Sequence, residues 1–170
     1  NKYYFDNIKL QIVTKGNTIP LTPEEKKEAL TRAMNNWIEG MMKATGGYVT
    51  TWDVVNEAIS GGGNDGEGFY VLQSASNAGA DAANNFYWQD YLGSEDYVRI
   101  VVAAARKYYA ENGGVKPLKL FINDYNLEST WDNNQKAKSL VHWIEKWESD
   151  GVTKIDGIGT QMHVAYRANA

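Results

Sequence analysis

The amino-acid sequence predicts an α/β fold whose parallel strands form part of a (β/α)8 barrel. Three observations lead there. After residue 20, segments of helical period alternate with short β-favouring runs in the order α-β-α-β-α-β. The runs end in polar residues, as buried parallel strands do where a site lies beyond their carboxyl ends. No glycine-rich phosphate loop joins a strand to a helix, since Gly61-Gly62-Gly63 opens an irregular stretch, and this disfavours an open nucleotide-binding sheet. A full barrel typically needs about 250 residues. The 170 residues here supply less than half of its strand-helix units.

Residues 1–13, NKYYFDNIKLQIV, read as a strand, because β-favouring and aromatic residues dominate ahead of the turn signal at Gly16-Asn17. A helix then starts at Thr22. Thr22 and Glu25 have the spacing of a capping box, Pro23 occupies the first helical position, and Leu30, Met34, Trp37, Ile38 and Met41 recur until Gly46-Gly47. Residues 49–58, VTTWDVVNEA, are β-branched and aromatic, and predict a strand near 49–57.

Residues 60–95 lack a sustained period. Stretches this long are usually functional or disordered; here the glycines at 61–68 suggest mobility and the aromatics at 86–91 suggest anchoring. A second helix runs from Ser94 through Val98, Val101, Val102, Ala105 and Tyr109 to Asn112-Gly113-Gly114. The apolar run LKLFI turns polar at Asn123-Asp124-Tyr125-Asn126, giving a strand near 118–124. A third helix spans roughly 133–149, and GIGTQMHV gives a strand near 156–163. Met34, Trp37, Ile38, Val101, Val102, Val141 and Ile144 are expected to point inward.

Hydrophobic residues make up 43% and charged residues 22%, with 17 Lys+Arg against 21 Asp+Glu for a net charge of −4, the balance of a globular domain. No basic block is present to neutralise phosphates, which argues against nucleic acid as a partner, and no apolar run reaches membrane-spanning length. Zero Cys excludes disulfides and thiolate metal sites. The 6 Trp and 11 Tyr against 4 Phe favour rings with a polar edge, which suit sugar stacking and plain cores alike.

Two groups carry candidate chemistry. Asn56 beside Glu57 joins an amide that can orient a hydroxyl to a carboxyl that can exchange a proton, although an isolated pair also suits a cap or an exposed surface. Along the last strand, Gly157, Gly159, Gln161 and His163 share one face, placing small residues deep and polar ones at the mouth. Read alone, His163 fits a half-buried structural histidine equally well.

WDVVNEA at 52–58, LFINDYNLE at 120–128 and GIGTQMHV at 157–164, in that order and each on an expected strand, resemble glycoside hydrolase family 10 over roughly residues 21–165. That family comprises endo-β-1,4-xylanases on a (β/α)8 barrel. The resemblance implies that this stretch runs from the third helix to the sixth strand. It implies Glu57 as general acid/base, Asn56 as the group that binds the sugar 2-hydroxyl, and Gln161 and His163 as supports of the two catalytic carboxylates. Trp52, Asn123, Tyr125 and Asn126 would shape the site or its leaving-group side, while Trp52 and Tyr125 suit packing as well. The nucleophile is expected from sequence not in this chain.

The same resemblance implies xylan or xylo-oligosaccharides as partners, together with the remaining barrel segments of the enzyme, no cofactor, no metal, and action outside the cytoplasm as a secreted, periplasmic or cell-surface protein. Residues 1–16 look like the closing strand and linker of a carbohydrate-binding module, with 17–170 belonging to the catalytic barrel. A catalytically incomplete fragment with a sugar-binding or structural role, or another retaining barrel glycosidase such as a cellulase, is the alternative.

Overall fold

A computed structural model describes Gly16 and residues 19–163; the strand expected over 1–13 lies outside the described residues. The element order is α1 (Pro23–Thr45), β1 (Thr51–Asn56), a 3₁₀ turn (Gly79–Ala83), α2 (Gln89–Leu92), α3 (Asp96–Glu111), β2 (Lys119–Asp124), α4 (Gln135–Glu148) and β3 (Gly157–Thr160). The strands pair in the order β1-β2-β3, and both pairs are parallel. This is a partial (β/α)8 barrel in which α3 and α4 make the crossovers.

Helix α1 begins as its sequence dictates: the Thr22 hydroxyl accepts the Glu25 N–H at 3.2 Å and the Glu25 carboxylate accepts the Thr22 N–H at 2.8 Å. It ends at Gly46, whose φ of 53° gives the left-handed cap that glycine adopts at little steric cost. Alternation in β2 sorts its faces. Leu120, Ile122 and Asp124 are fully buried toward the helices, whereas Phe121 and Asn123 lie on the barrel's inner side. There Gly157 leaves room for the Phe121 ring, which a Cβ would displace, and a Cβ on Gly159 would stand 2.8 Å from the Asn123 amide oxygen.

The helices close on the sheet through Val98, Val102, Ala105, Leu140 and Trp147, all at most 2% exposed. Both buried tryptophans of α4 find acceptors: Trp147 donates to the Ser94 carbonyl and Trp143 to the Tyr70 carbonyl, each at 2.9 Å. Arg99 of α3 donates to the carbonyls of Lys146 and Trp147, which satisfies the C-terminal end of α4.

Two of the inward positions expected from periodicity are corrected. Trp37 is 72% exposed and Val141 46%, while Ile38 and Ile144 are half-buried. Trp37 sits on the flank of α1 with Met41, over a groove of about 380 Å³ that also contains Trp52 and opens beside the edge strand β1. Val141 is turned away from the sheet, toward Phe69 and His142. Helical period fixes which residues share a stripe, but the direction of the stripe depends on which neighbours are present.

The glycine-rich start of the long connection is tied to α4 at Asp65, where composition alone suggested looseness. Its carboxylate accepts the N–H groups of Glu67 (2.9 Å) and Phe69 (3.1 Å) and lies 2.8 Å from His142 Nε2 and 3.5 Å from Lys146 Nζ. Phe69 stacks on the His142 ring, with centroids 4.0 Å apart. Phe86 and Tyr91, expected to be anchors, stack on one another and remain 50% and 41% exposed.

Burial alone would push the Asp65 carboxyl upward, but the two backbone donors, His142 and Lys146 outweigh it and hold the pKa at about 2 against an ordinary 3.8. A depressed folded value stabilises fully above the ordinary one and is lost as pH falls from about 4 toward 2. Asp65→Asn is therefore expected to melt below the parent near neutral pH, with the gap closing over that acid range. Thermal melts across it are the measurement, and a gap of constant size would show that the clasp does not depend on the charge.

Candidate active site

The three strands deliver their polar ends to one mouth, and each end carries a non-glycine residue with positive φ: Glu57 at 54°, Asn126 at 59° and Met162 at 49°. Such conformations cost on the order of 1 kcal/mol or more each and persist where the surroundings impose them. At Glu57 the turn breaks the strand's alternation and directs the carboxylate across the mouth toward β3. Gln161 Nε2 donates to Glu57 Oε1 at 2.6 Å, and His163 Nε2 lies 2.7 Å from Gln161 Oε1. An amide oxygen only accepts, so the His163 nitrogen carries the hydrogen.

Asn123 Nδ2 and Gln161 Nε2 reach one terminal atom of Asn56, at 2.7 and 3.2 Å, which identifies that atom as Oδ1. The Nδ2 hydrogens of Asn56 therefore point out of the cluster, available to a ligand hydroxyl. Asn56, Glu57, Asn123, Gln161 and His163 thus come together as one hydrogen-bonded array drawn from all three strands. Asn56 and Glu57 also line a cavity of about 490 Å³ with Gln73, Tyr87, Trp88 and Tyr97. Burial and the Asp124 charge push the Tyr97 phenol up, so this wall stays neutral.

Comparison with known proteins decides what this array belongs to. Residues 16–170 match the glycosyl hydrolase family 10 profile. The chain belongs to glycosyl hydrolase family 10. Endo-1,4-beta-xylanase A of Halalkalibacterium halodurans is 32% identical over 147 residues, which cover 86% of this chain and 30% of that relative. The crystal structure of xylanase B from Clostridium stercorarium F9 superposes with a TM-score of 0.61 at 25% identity, covering 88% of this chain and 37% of that one. A second solved structure, a mutant in complex with xylotriose, has 26% identity and a TM-score of 0.58, covering 81% of this chain and 33% of its own. This chain therefore spans about a third of those relatives.

Behind the mouth of this family 10 segment lies a buried ion pair. The Lys136 ammonium stands 2.7 Å from Asp124 Oδ1, with side-chain exposures of 4% and 0%, and 3.3 Å from the centre of the Tyr125 ring. Asp124 also accepts the N–H groups of Ile59 (3.0 Å) and Tyr125 (2.8 Å), so it ties the end of β2 to the chain leaving β1. The sequence offered a signal for it. Asp124 shares parity with Leu120 and Ile122 on the helix-facing side, where a carboxylate requires a buried cation.

The other three expected site residues stand outside the array. Trp52 lines the groove under α1 and donates to the Val49 carbonyl at 3.3 Å, Tyr125 covers Lys136, and Asn126 makes the turn after β2, where its carbonyl accepts the Ser129 N–H. Gln73, half-buried against the Glu57 backbone, had no sequence signal, because it lies in the connection without period. Among the described residues Asp65, Glu67 and His142 also gather closely enough to suggest a metal site. The Lys146 ammonium, 2.8 Å from Glu67 and 3.5 Å from Asp65, already fills the cation's place. No described helix is long and apolar enough to cross a membrane.

Proposed function

We propose that the chain is the third-helix to sixth-strand portion of an endo-1,4-β-xylanase that cleaves internal bonds of xylan with retention. The observation that carries this reading is the Glu57 carboxylate, held by Gln161 at 2.6 Å beside an outward-facing Asn56 amide at the carboxyl end of parallel strands. Retention uses two carboxyl groups about 5–5.5 Å apart. Glu57 acts as the acid that protonates the leaving oxygen and later as the base that activates water; the nucleophile comes from sequence outside this chain, steadied by His163 and Gln161. Asn56 binds the 2-hydroxyl at the cleavage point, and Asn123, Tyr125, Asn126 and Trp52 shape the leaving-group side.

The family match over residues 16–170 supports assigning 17–170 to the catalytic barrel; residues 1–16 are read from their sequence as the closing strand and linker of a carbohydrate-binding module. Strands β1 and β3 each pair on one side only among the described residues, which fits partners supplied by the remaining barrel segments. A polymeric substrate that cannot enter a cell places the enzyme in the secreted, periplasmic or surface class. The test is to incubate the complete protein with β-1,4-xylan and with cellulose while following reducing ends and the anomer of the first product by NMR. Internal cleavage of xylan releasing the β-anomer is expected. Initial release of the α-anomer, or cleavage of cellulose alone, would overturn the reading.

A further inference from the structure

We propose that Gln73 is a positioning residue for Glu57, a role that rests on the reading of Glu57 as the acid/base. The left-handed turn at Glu57, with φ of 54°, rotates its carbonyl out of the sheet ladder, while its N–H stays bonded to the Asn123 carbonyl at 2.7 Å. A half-buried carbonyl removed from its ladder needs a donor from elsewhere. Gln73 supplies it: its Nε2 donates to the Glu57 carbonyl oxygen at 2.6 Å.

This side-chain bond is additional to the pairing of the two segments. Gln73 N–H already bonds the Ala58 carbonyl at 2.8 Å, and Ile59 bridges antiparallel to Leu72. The amide reaches past that pairing to the one carbonyl displaced by the strained residue.

Gln73 also stands on a braced support. On one side Tyr70 is fixed to α4, its N–H bonded to Ser139 Oγ at 2.9 Å and its carbonyl accepting from Trp143. On the other, Asp90 of α2 accepts the Ser74 hydroxyl at 2.6 Å and the Ala75 N–H at 2.9 Å. A group held from both sides can impose a conformation rather than follow one. Without that donor the peptide unit after Glu57 is free to rotate, Glu57 relaxes toward negative φ, and its Cβ swings the carboxylate off Gln161.

The experiment uses the complete enzyme with Gln73→Ala and Gln73→Glu, the second matching the shape while offering no N–H. Both are expected to lower kcat on xylan by about 10- to 100-fold with KM nearly unchanged, the scale of a misplacement near 1 Å. In kcat/KM, which reports the glycosylation step, aryl xylobiosides with a good leaving group should lose much less than xylan. In a Glu57→Ala background the Gln73 changes should cost nothing further, because the group they position is gone. Melting curves normalise every rate to folded protein. Equal losses on both substrate types, additive losses in the double variant, or parental kcat in Gln73→Glu would each overturn the proposal. Parental turnover in Glu57→Ala alone would instead overturn the acid/base reading, so the two failures are distinguishable.

Discussion

In the complete enzyme, Glu57→Ala is expected to lower turnover of unactivated xylan by about 10²–10⁴-fold, the span of a positioned general acid. The loss arises because the departing sugar oxygen is a poor leaving group that must receive a proton as its bond breaks. A substrate whose leaving group is already acidic needs little of that help, so its glycosylation step slows far less. The following step still lacks its base, and the glycosyl-enzyme accumulates. Azide, a nucleophile that needs no deprotonation, should then accelerate turnover of the activated substrate and release a β-glycosyl azide. Glu57→Gln is the companion variant, since it keeps the length of the side chain that meets Gln161 and guards against a purely conformational effect at a left-handed position. Equal losses on both substrates without azide rescue would remove Glu57 from the acid/base role.

The fold was legible wherever local chemistry and tertiary contact agree. Thr22, Pro23 and Glu25 write the start of α1 in the sequence, and Gly46 writes its end. Alternating strand and helix periods then leave few topologies for parallel crossovers. Legibility failed where an outcome depends on distant neighbours. Trp37 and Met34 belong to one apolar stripe, yet only Met34 meets a partner over its whole surface. The end of β3 also departs from pure alternation: the strand stops at Thr160, and the positive φ of Met162 lets Gln161 and His163 bond to each other directly.

Of the array itself, Asn56, Glu57, Asn123, Gln161 and His163 were marked by strings at strand ends, because the end of a parallel strand is where a side chain reaches a site. The supports were less visible. Asp65 lies amid glycines that imitate a linker, and its hold on His142 and Lys146 joins residues about eighty positions apart. Gln73 acts on a backbone carbonyl, an acceptor every residue possesses, so no residue pattern can mark the pairing in advance.

Breaking the buried pair behind the mouth carries the largest expected cost to stability. Lys136→Met fills similar volume with apolar atoms but leaves the Asp124 carboxylate, 0% exposed, without its cation. An uncompensated buried charge costs about 3–5 kcal/mol. Melting should therefore fall on the order of 10 °C, at roughly 2–4 °C per kcal/mol for a domain of 150–250 residues. Desolvation explains why the partner variant does not simply mirror it. Asp124→Asn leaves an ammonium that still has the Tyr125 face at 3.3 Å, but it turns one of the two acceptors serving Ile59 and Tyr125 into a donor. The double variant removes both charges and should be more stable than Lys136→Met alone, giving a coupling energy of opposite sign to the single losses. Because Ile59 follows Glu57 by two residues, the Lys136→Met enzyme should also lose activity per folded molecule at temperatures where it remains native. Thermal melts of the four members of the cycle decide the matter: a Lys136→Met cost below about 1 kcal/mol, or a double variant no better than the single, would mean that water reaches Asp124 and the pair is not sealed.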